Sequence, residues 1–174
     1  MFVALETFQA DKSLLKLDAS PNVSVRMVAL ETFQEERYAD LAGITLPFVQ
    51  DNHSRSSKGV LRGLHFQKTK PQGKLVRVVS GEVYDVVVDI RFGSSTFGYW
   101  EAFTLSEDNK TQLWVPPGFA HGFLTLKKEN IICYSCTEYR SPIDERSLKY
   151  NDPKIKIKWP VKKLNISIKD KNAK

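Results

Sequence analysis

The sequence is poor in the residues on which metal centres and disulfide frameworks depend. Its 174 residues include three histidines and two cysteines. Cys133 and Cys136 form a single C-x-x-C in IICYSCTEY, and the absence of a second such pair excludes a zinc ribbon. The neighbouring β-branched and aromatic residues predict a strand, on which positions i and i+3 face opposite sides. We therefore interpret both thiols as small apolar core residues rather than as a redox pair.

Long apolar runs are also absent. No stretch approaches the roughly 20 apolar residues that a membrane-spanning helix needs. The first residues, MFVALETFQADK, lack the basic and then apolar order of a secretory signal. The sequence therefore predicts no membrane partner and a cytoplasmic location.

Positive charge exceeds negative charge, and the formal net charge is +6. Such a balance suits an acidic partner, for example a phosphorylated metabolite. The densest cationic stretch, 154–174, contains eight lysines and one acid, Asp170. The other cations are spread along the chain, which is not typical of a nucleic-acid-binding surface, and we predict no nucleic-acid partner.

One seven-residue segment occurs twice. VALETFQ stands at Val3–Gln9 and again at Val28–Gln34, and there is no third copy. Two copies are too few for a solenoid array. The sequence offers no physical explanation for this repeat.

From Phe48 onward the pattern is typical of short β-strands separated by turns. KLVRVVSGEVYDVVVDIR alternates before it becomes a buried run, and Ser80-Gly81 marks a turn between two strands. Only Glu35–Leu41 has a clear helical pattern, and a short alternating piece covers Ile155–Trp159. Turns recur about every ten residues, which predicts an all-β protein, a jelly-roll β-sandwich or barrel with a few short helices.

The histidines do not form a predicted metal site. Small β-barrel metal sites need about three ligands, commonly with two histidines at i and i+2 of one strand. His53, His65 and His121 each stand alone. His65 instead follows Arg62 in VLRGLHFQ, where strand parity would place the two on opposite faces unless a bulge at Gly63 brought them together. The alternative is a solvated strand edge.

Several stretches together resemble the dTDP-4-dehydrorhamnose 3,5-epimerase family of cupin-like proteins. They include FVQDNHSRSSKGVLRGLHFQ, QGKLVR, PPGFAHGF and YSCTEYRSPIDER, and the resemblance runs from about Phe48 to Asp170. It implies one cupin-like epimerase domain over residues 1–174. That domain would consist of an N-terminal arm and strand-exchange region at 1–47, a jelly-roll core at 48–150 and a C-terminal segment at 151–174 that carries Asp170.

The resemblance also implies an isomerase that uses neither a metal nor another cofactor. The family's substrate is a nucleotide-diphosphate sugar, dTDP-4-dehydro-6-deoxy-D-glucose, and its product is dTDP-4-dehydro-L-rhamnose. The C4 ketone acidifies the C–H bonds at C3 and C5, so inversion needs a base, an acid on the opposite face and a group that stabilises the enolate. The alternatives are an epimerase that acts at C5 or C3 only, or a non-catalytic module that binds sugar nucleotides.

Four residues match the family's catalytic positions. His65 resembles the base, Tyr134 the acid on the opposite face, and Lys74 the cation beside the C4 oxygen. Asp170 resembles the carboxylate that orients the imidazole, although Asp85, on a predicted strand of the same sheet, is a rival for that role. Without the resemblance, Tyr134 would be interpreted as a core residue and Lys74 as a surface lysine.

Further residues match binding positions. Arg62 resembles the arginine that grips the diphosphate, a task that suits a planar guanidinium. Gln50, Asn52 and His121 match positions that line the same pocket. Arg140 stands where many family members have a second tyrosine.

In the family, an N-terminal arm reaches into the neighbouring subunit of a homodimer. The resemblance therefore implies a homodimer with exchanged arms, and Arg26 and Glu31 keep the spacing of the arm's binding residues. Three arm positions depart from the family pattern: Ser24 replaces an aspartate, Met27 a glycine and Ala29 an aromatic residue.

Overall fold

The computed structural model describes residues 3–5 and 32–173. Within these ranges the helices are α1, Glu35–Ala42, and α2, Ile168–Lys171. The strands are β1 Val3–Leu5, β2 Gln50–Ser57, β3 Val60–Gln67, β4 Lys74–Ser80, β5 Glu82–Asp89, β6 Trp100–Ser106, β7 Gln112–Val115, β8 Phe119–Thr125, β9 Glu129–Cys136, β10 Glu145–Ser147 and β11 Asn165–Ile166. The predicted all-β class with a few short helices is confirmed. Neither helix in this part of the chain is long and apolar enough to cross a membrane.

The strands form two sheets. In the first sheet the order is β1-β7-β4-β9-β2, and in the second it is β10-β3-β8-β5-β6, with β11 also paired to β3. The turn predicted at Ser80-Gly81 joins β4 to β5, where Gly81 has a φ of 85°. The helix predicted at Glu35–Leu41 is α1, which ends at Gly43 in the left-handed conformation.

An apolar core fills the space between the two sheets. Alternate residues of each strand point into it, as the pleat of a β-strand requires. Its buried members come from both sheets: Val76, Val78, Val83, Val87, Leu105, Leu113, Val115, Phe119, Phe123 and Ile132. The two sheets therefore make a β-sandwich.

The second sheet is buried on its outer face as well. Leu64, Val86, Val88 and Ala120 form a second cluster there, against which Leu148, Ile155, Ile157 and Trp159 pack. The alternating piece at Ile155–Trp159 covers this face without being a strand itself. Burial on both faces explains why β5 contains the continuous apolar run that the sequence showed.

The two copies of the repeated segment lie near one another wherever they are described. Val3–Leu5 of the first copy pairs antiparallel with β7, with Val3 opposite Trp114. In the second copy, Phe33 packs edge-on against Tyr38 and Phe48, and Phe48 in turn contacts Trp114. The described residues of both copies are thus connected to Trp114 of β7, one by strand pairing and the other through Phe48.

Strand β3 has an irregularity where its glycine meets β8. The register of β3 against β8 shifts between Arg62 and His65. A Cβ built on Gly63 would lie 2.6 Å from the Cα of Gly122, and one built on Gly122 would lie 2.7 Å from the carbonyl oxygen of Arg62. The sequence left a bulge at Gly63 open, and the structure has an irregularity at this position, with Arg62 and His65 both lining one cleft.

We expect Gly122→Ala to lower the free energy of unfolding by roughly 2–3 kcal/mol, because the new methyl group meets backbone atoms that cannot turn away. Urea unfolding followed by circular dichroism would measure the loss. Gly93→Ala is the matched control, because Gly93 has a φ of 83° but open space around it, so only the conformational cost of about 1 kcal/mol applies. Equal losses in the two variants would contradict the close approach of β3 and β8.

Candidate functional site

A cleft of about 620 Å³ continues the interior of the sandwich at one end. The same faces that build the apolar core supply its polar lining. On β4, Lys74 precedes Val76 and Val78, and on β9, Tyr134 follows Ile132 at a spacing of two. The side-chain period of two therefore places Lys74 and Tyr134 in the cleft.

The outer edge of β3 is shared by two short strands, and a carboxylate lies between them. β10 pairs with the His65–Gln67 part of β3, while β11 pairs with Val60 and Leu61. Helix α2 follows β11 and brings Asp170 to the space between. One carboxylate oxygen of Asp170 lies 2.7 Å from Nε2 of His65, and the other accepts from the backbone N–H of Gly63 at 3.5 Å.

The environment of His65 favours its neutral form. Burial lowers the pKa of the imidazole and outweighs the hydrogen bond and charge of Asp170, which raise it; the Lys169 and Lys74 cations lower it further. When the Asp170 carboxylate accepts from Nε2–H, the other ring nitrogen, Nδ1, is left as the proton acceptor. The pair is therefore arranged as a base with an orienting carboxylate.

The environment of Tyr134 also favours the neutral form, which for a phenol means a raised pKa. Burial raises its pKa, as does the neighbouring Cys136, whereas the charges of Arg62 and Arg140 lower it. Because desolvation dominates, Tyr134 is a protonated phenol at neutral pH and can donate a proton.

Lys74 is the cation in the interior of the cleft. Burial lowers its pKa, and the charges of Cys136 and Asp85 oppose that shift. A fixed ammonium in a poorly solvated cleft can stabilise negative charge that develops on a nearby oxygen. Lys74 is thus part of the cleft rather than a surface lysine.

His121 has a carboxylate partner of its own. Its Nε2 lies 2.9 and 3.0 Å from the two oxygens of Asp85, and both side chains are buried. The structure thereby decides between the two carboxylates that the sequence left open. Asp170 contacts His65, and Asp85 contacts His121.

A chain of side-chain amides ties the end of β9 to β2. The backbone N–H of Arg140 donates to Gln50 at 2.9 Å, and the amide of Gln50 donates to Oδ1 of Asn52 at 2.8 Å. Asn52 then donates to the carbonyl of Tyr134 and to the sulfur of Cys136, both at 3.5 Å. These bonds fix Gln50 and Asn52 beside Tyr134.

The structure brings together every predicted site residue that it describes. All of the following line the cleft: Gln50, Asn52, Arg62, His65, Lys74, His121, Tyr134 and Asp170. Arg62 also donates to the hydroxyl of Ser56 at 3.2 Å. Arg26 and Glu31 lie outside the described residues, as do Ser24, Met27 and Ala29.

Among the lining residues that sequence reasoning did not assign to the site are Cys136, Glu145 and Lys169. Lys169 could have been found as the neighbour of Asp170, and Glu145 lies within the quoted stretch YSCTEYRSPIDER. The two cysteines lie on opposite sides of β9, as expected. Cys136 is buried, but Cys133 is only half-buried and lies 3.6 Å from Nδ1 of His53, so its interpretation as an apolar core residue is wrong.

Within residues 3–5 and 32–173, no group of three or more histidine, cysteine, aspartate and glutamate side chains is placed to hold a metal ion. His65 and His121 each have one carboxylate partner. The described part of the cleft thus offers acid–base groups and cations rather than a ligand cluster.

Comparison with known proteins gives a consistent result. The family model described as dTDP-4-dehydrorhamnose 3,5-epimerase matches residues 14–174. A dTDP-4-dehydrorhamnose 3,5-epimerase of Salmonella typhimurium is 51% identical over 145 residues, which cover 82% of this chain and 79% of that protein.

Solved structures with the same architecture include two with bound sugar nucleotides. A dTDP-6-deoxy-D-glucose-3,5-epimerase from Legionella pneumophila, in complex with dTDP-4-keto-L-rhamnose, is 52% identical, with a TM-score of 0.83 over 87% of this chain and 81% of that one. A 3'-monoepimerase from Streptomyces bikiniensis, in complex with dTDP-quinovose, is 34% identical, with a TM-score of 0.78 over 83% and 74%. The similarity therefore extends over most of the chain.

We expect the pKa of His65, followed by NMR of the histidine ring protons, to lie below that of an unperturbed histidine. Asp170→Asn should lower it by about one further unit, since the substitution removes the negative charge that favours the imidazolium. Asp51→Asn, a change on the exposed side of β2, is the matched control and should leave the titration unchanged. A higher pKa in Asp170→Asn would show that Asp170 does not act on His65 in this way.

Proposed function

The chain belongs to the dTDP-4-dehydrorhamnose 3,5-epimerase family, and from this we propose that it converts dTDP-4-dehydro-6-deoxy-D-glucose to dTDP-4-dehydro-L-rhamnose by epimerisation at C3 and C5. The predicted family, the cupin-like all-β fold and the isomerase class are confirmed by the comparisons. The observation that carries the proposal is the placement of His65 and Tyr134. One projects from β3 of the second sheet and the other from β9 of the first, so they line one cleft from its two walls.

The proposed reaction begins with proton abstraction next to the C4 ketone. Neutral His65 takes the proton from carbon, and the electron pair of the C–H bond moves into an enolate at the C4 oxygen. Asp170 stabilises the imidazolium that forms, and the ammonium of Lys74 stabilises the enolate. Reprotonation of the same carbon by Tyr134, from the opposite face, inverts the centre. His65 then gives its proton to solvent and the Tyr134 phenolate takes one up from solvent, and the reset pair acts at the second carbon in the same way.

Burial supports these roles because it favours the uncharged form of both reacting groups. It lowers the pKa of His65 and raises that of Tyr134. At neutral pH the base is therefore free to accept and the acid is still able to donate.

We assign diphosphate binding to the cationic mouth of the cleft. Arg62, Arg140 and Lys169 all line it, and guanidinium groups match the geometry of phosphate oxygens. Gln50 and Asn52 are fixed beside Tyr134 and can hydrogen-bond the sugar.

The single-centre alternative keeps all of these groups. The likeness to a 3'-monoepimerase favours it as the second candidate, as does Arg140 in place of a tyrosine. A non-catalytic sugar-nucleotide module is disfavoured, because both a base and an acid line the cleft.

Incubation with dTDP-4-dehydro-6-deoxy-D-glucose in heavy water, read by proton NMR, tests the proposal. We expect deuterium at both C3 and C5 with the wild-type protein. His65→Ala should reduce exchange by about 10²–10⁴-fold, the usual contribution of a positioned base. Tyr134→Phe should slow completed inversion more than exchange, because it removes the donor and leaves the base.

Each outcome of this experiment has a distinct meaning. Label at only one carbon would select the single-centre reaction, and no label at either would reject the enzyme proposal for this substrate. Exchange that persists in His65→Ala would reassign the base. Equal slowing of exchange and inversion in Tyr134→Phe would argue against Tyr134 as the acid.

We also propose that the protein is a homodimer in which the N-terminal arm, with Arg26 and Glu31, completes the partner's cleft. Large exposed apolar side chains that lie one or two positions from lining residues in the sequence support a covering segment: Tyr139 is 64%, Ile143 89% and Ile168 79% exposed. The cytoplasmic location and the division into arm, core and C-terminal segment remain predictions.

Mixing two inactive variants tests the shared site. Arg26→Ala and His65→Ala chains, unfolded together and refolded, should regain about a quarter of wild-type activity, since half of the dimers are mixed and each mixed dimer has one intact cleft. Light scattering should give twice the 19.8 kDa of one chain. Failure to regain activity in dimers proven to be mixed would place Arg26 in its own subunit's cleft.

A further inference from the structure

Glu145 is a carboxylate that two cations share. It lies on β10 opposite Gln67 of β3, and its side chain is only 10% exposed. One oxygen lies 2.7 Å from Nε of Arg140, and the other pairs with the ammonium of Lys169. The side chains of Arg140 and Lys169 are about half exposed, so Glu145 is the inner member of the group.

The two cations belong to different halves of the site. Lys169 immediately precedes Asp170, the partner of His65. The backbone N–H of Arg140 begins the amide chain through Gln50 and Asn52 that ends at Tyr134. Glu145 therefore pairs with one cation beside the partner of the base and with another at the start of the amide chain that leads to the acid.

We propose that Glu145 is a positioning residue for the epimerase reaction, a shared counterion that holds Arg140 and Lys169 at the mouth and limits the field that these two cations exert on Tyr134 and His65. This inference rests on the acid and base roles proposed above. It assigns Glu145 no contact with the reacting carbons.

Other charged groups also face these residues. His65 is influenced by Asp170, Lys169 and Lys74, and Tyr134 by Arg62, Arg140 and Cys136. On β10 and its flanking loop, the carboxylate of Asp144 accepts from the backbone N–H groups of Thr69 and Lys70, and Arg146 donates to the carbonyls of Ile143 and Glu145.

These surroundings fix the direction of the effect. Lys169 lowers the pKa of His65 and Arg140 lowers that of Tyr134. A carboxylate placed between the two cations weakens both influences, and its removal should strengthen both. Loss of the negative charge of Glu145 itself acts with the same sign on each group.

Glu145→Gln tests this inference through the pH profile, which a purely structural role of Glu145 would not shift. We expect the pKa values of both His65 and Tyr134 to fall by roughly half a unit. The acid and alkaline limbs of the kcat/KM profile should therefore move together towards lower pH, because the base stays neutral to lower pH and the acid ionises earlier. Glu145→Asp keeps the charge and should restore most of the wild-type profile.

Glu129→Gln is the matched control. Glu129 pairs with Arg55 at 2.6 Å, and neither residue lines the cleft. This variant removes an arginine–glutamate pair of the same kind and should leave both limbs in place.

NMR titration of His65 in the substrate-free protein separates this inference from the proposed function, because it needs no turnover. A fall in the pKa in Glu145→Gln, relative to Glu129→Gln, would support the shared counterion even if the substrate were wrong. An unchanged or raised pKa of His65 would overturn the inference, because Lys169 would then have moved away or never acted on the imidazole. This conclusion would hold whatever activity the protein has.

Discussion

The proposed base depends on the hydrogen bond between Asp170 and His65, and this bond depends on how the segments around β3 pack. Its two members are 105 residues apart, and the distance between them is 2.7 Å. Asp170 can reach the imidazole only because β10 and β11 leave a space between them along β3. The segment before β11 is fixed in turn by Ile155, Ile157 and Trp159, which pack on the outer face of the second sheet. Apolar burial on that face therefore stabilises the position of a carboxylate in the cleft.

One physical cause, removal from water, prepares both reacting groups. Desolvation disfavours the charged form of any side chain, so it lowers the pKa of His65 and raises that of Tyr134. A cleft that continues the apolar core thus keeps a free base and a protonated acid at the same pH. The accompanying cost is that each buried charge needs a partner. Asp85 has His121, and Asp170 has both His65 and a backbone N–H.

The positive charge at the mouth of the cleft is also constrained by the acid and the base. A diphosphate site needs several positive charges, but unscreened cations would alter the acid and the base beside them. Glu145, between Arg140 and Lys169, satisfies both demands within one short strand. Arg140 is also a departure from the family pattern, so this balance belongs to the chain's own sequence.

Much of the fold was determined by short-range patterns in the sequence. Apolar alternation, the Ser80-Gly81 turn and the helical pattern at Glu35–Leu41 depend on neighbouring residues, and the structure reproduces them. The family resemblance, carried by motifs along the chain, identified the predicted residues that line the cleft. Only the tertiary structure decided that Asp170 rather than Asp85 contacts His65, and that Glu145 joins two cations. These contacts depend on sheet order and on the shift in register at Gly63, which bring together residues that are distant in sequence. Local propensity does not specify whether Asp170 or Asp85 contacts His65.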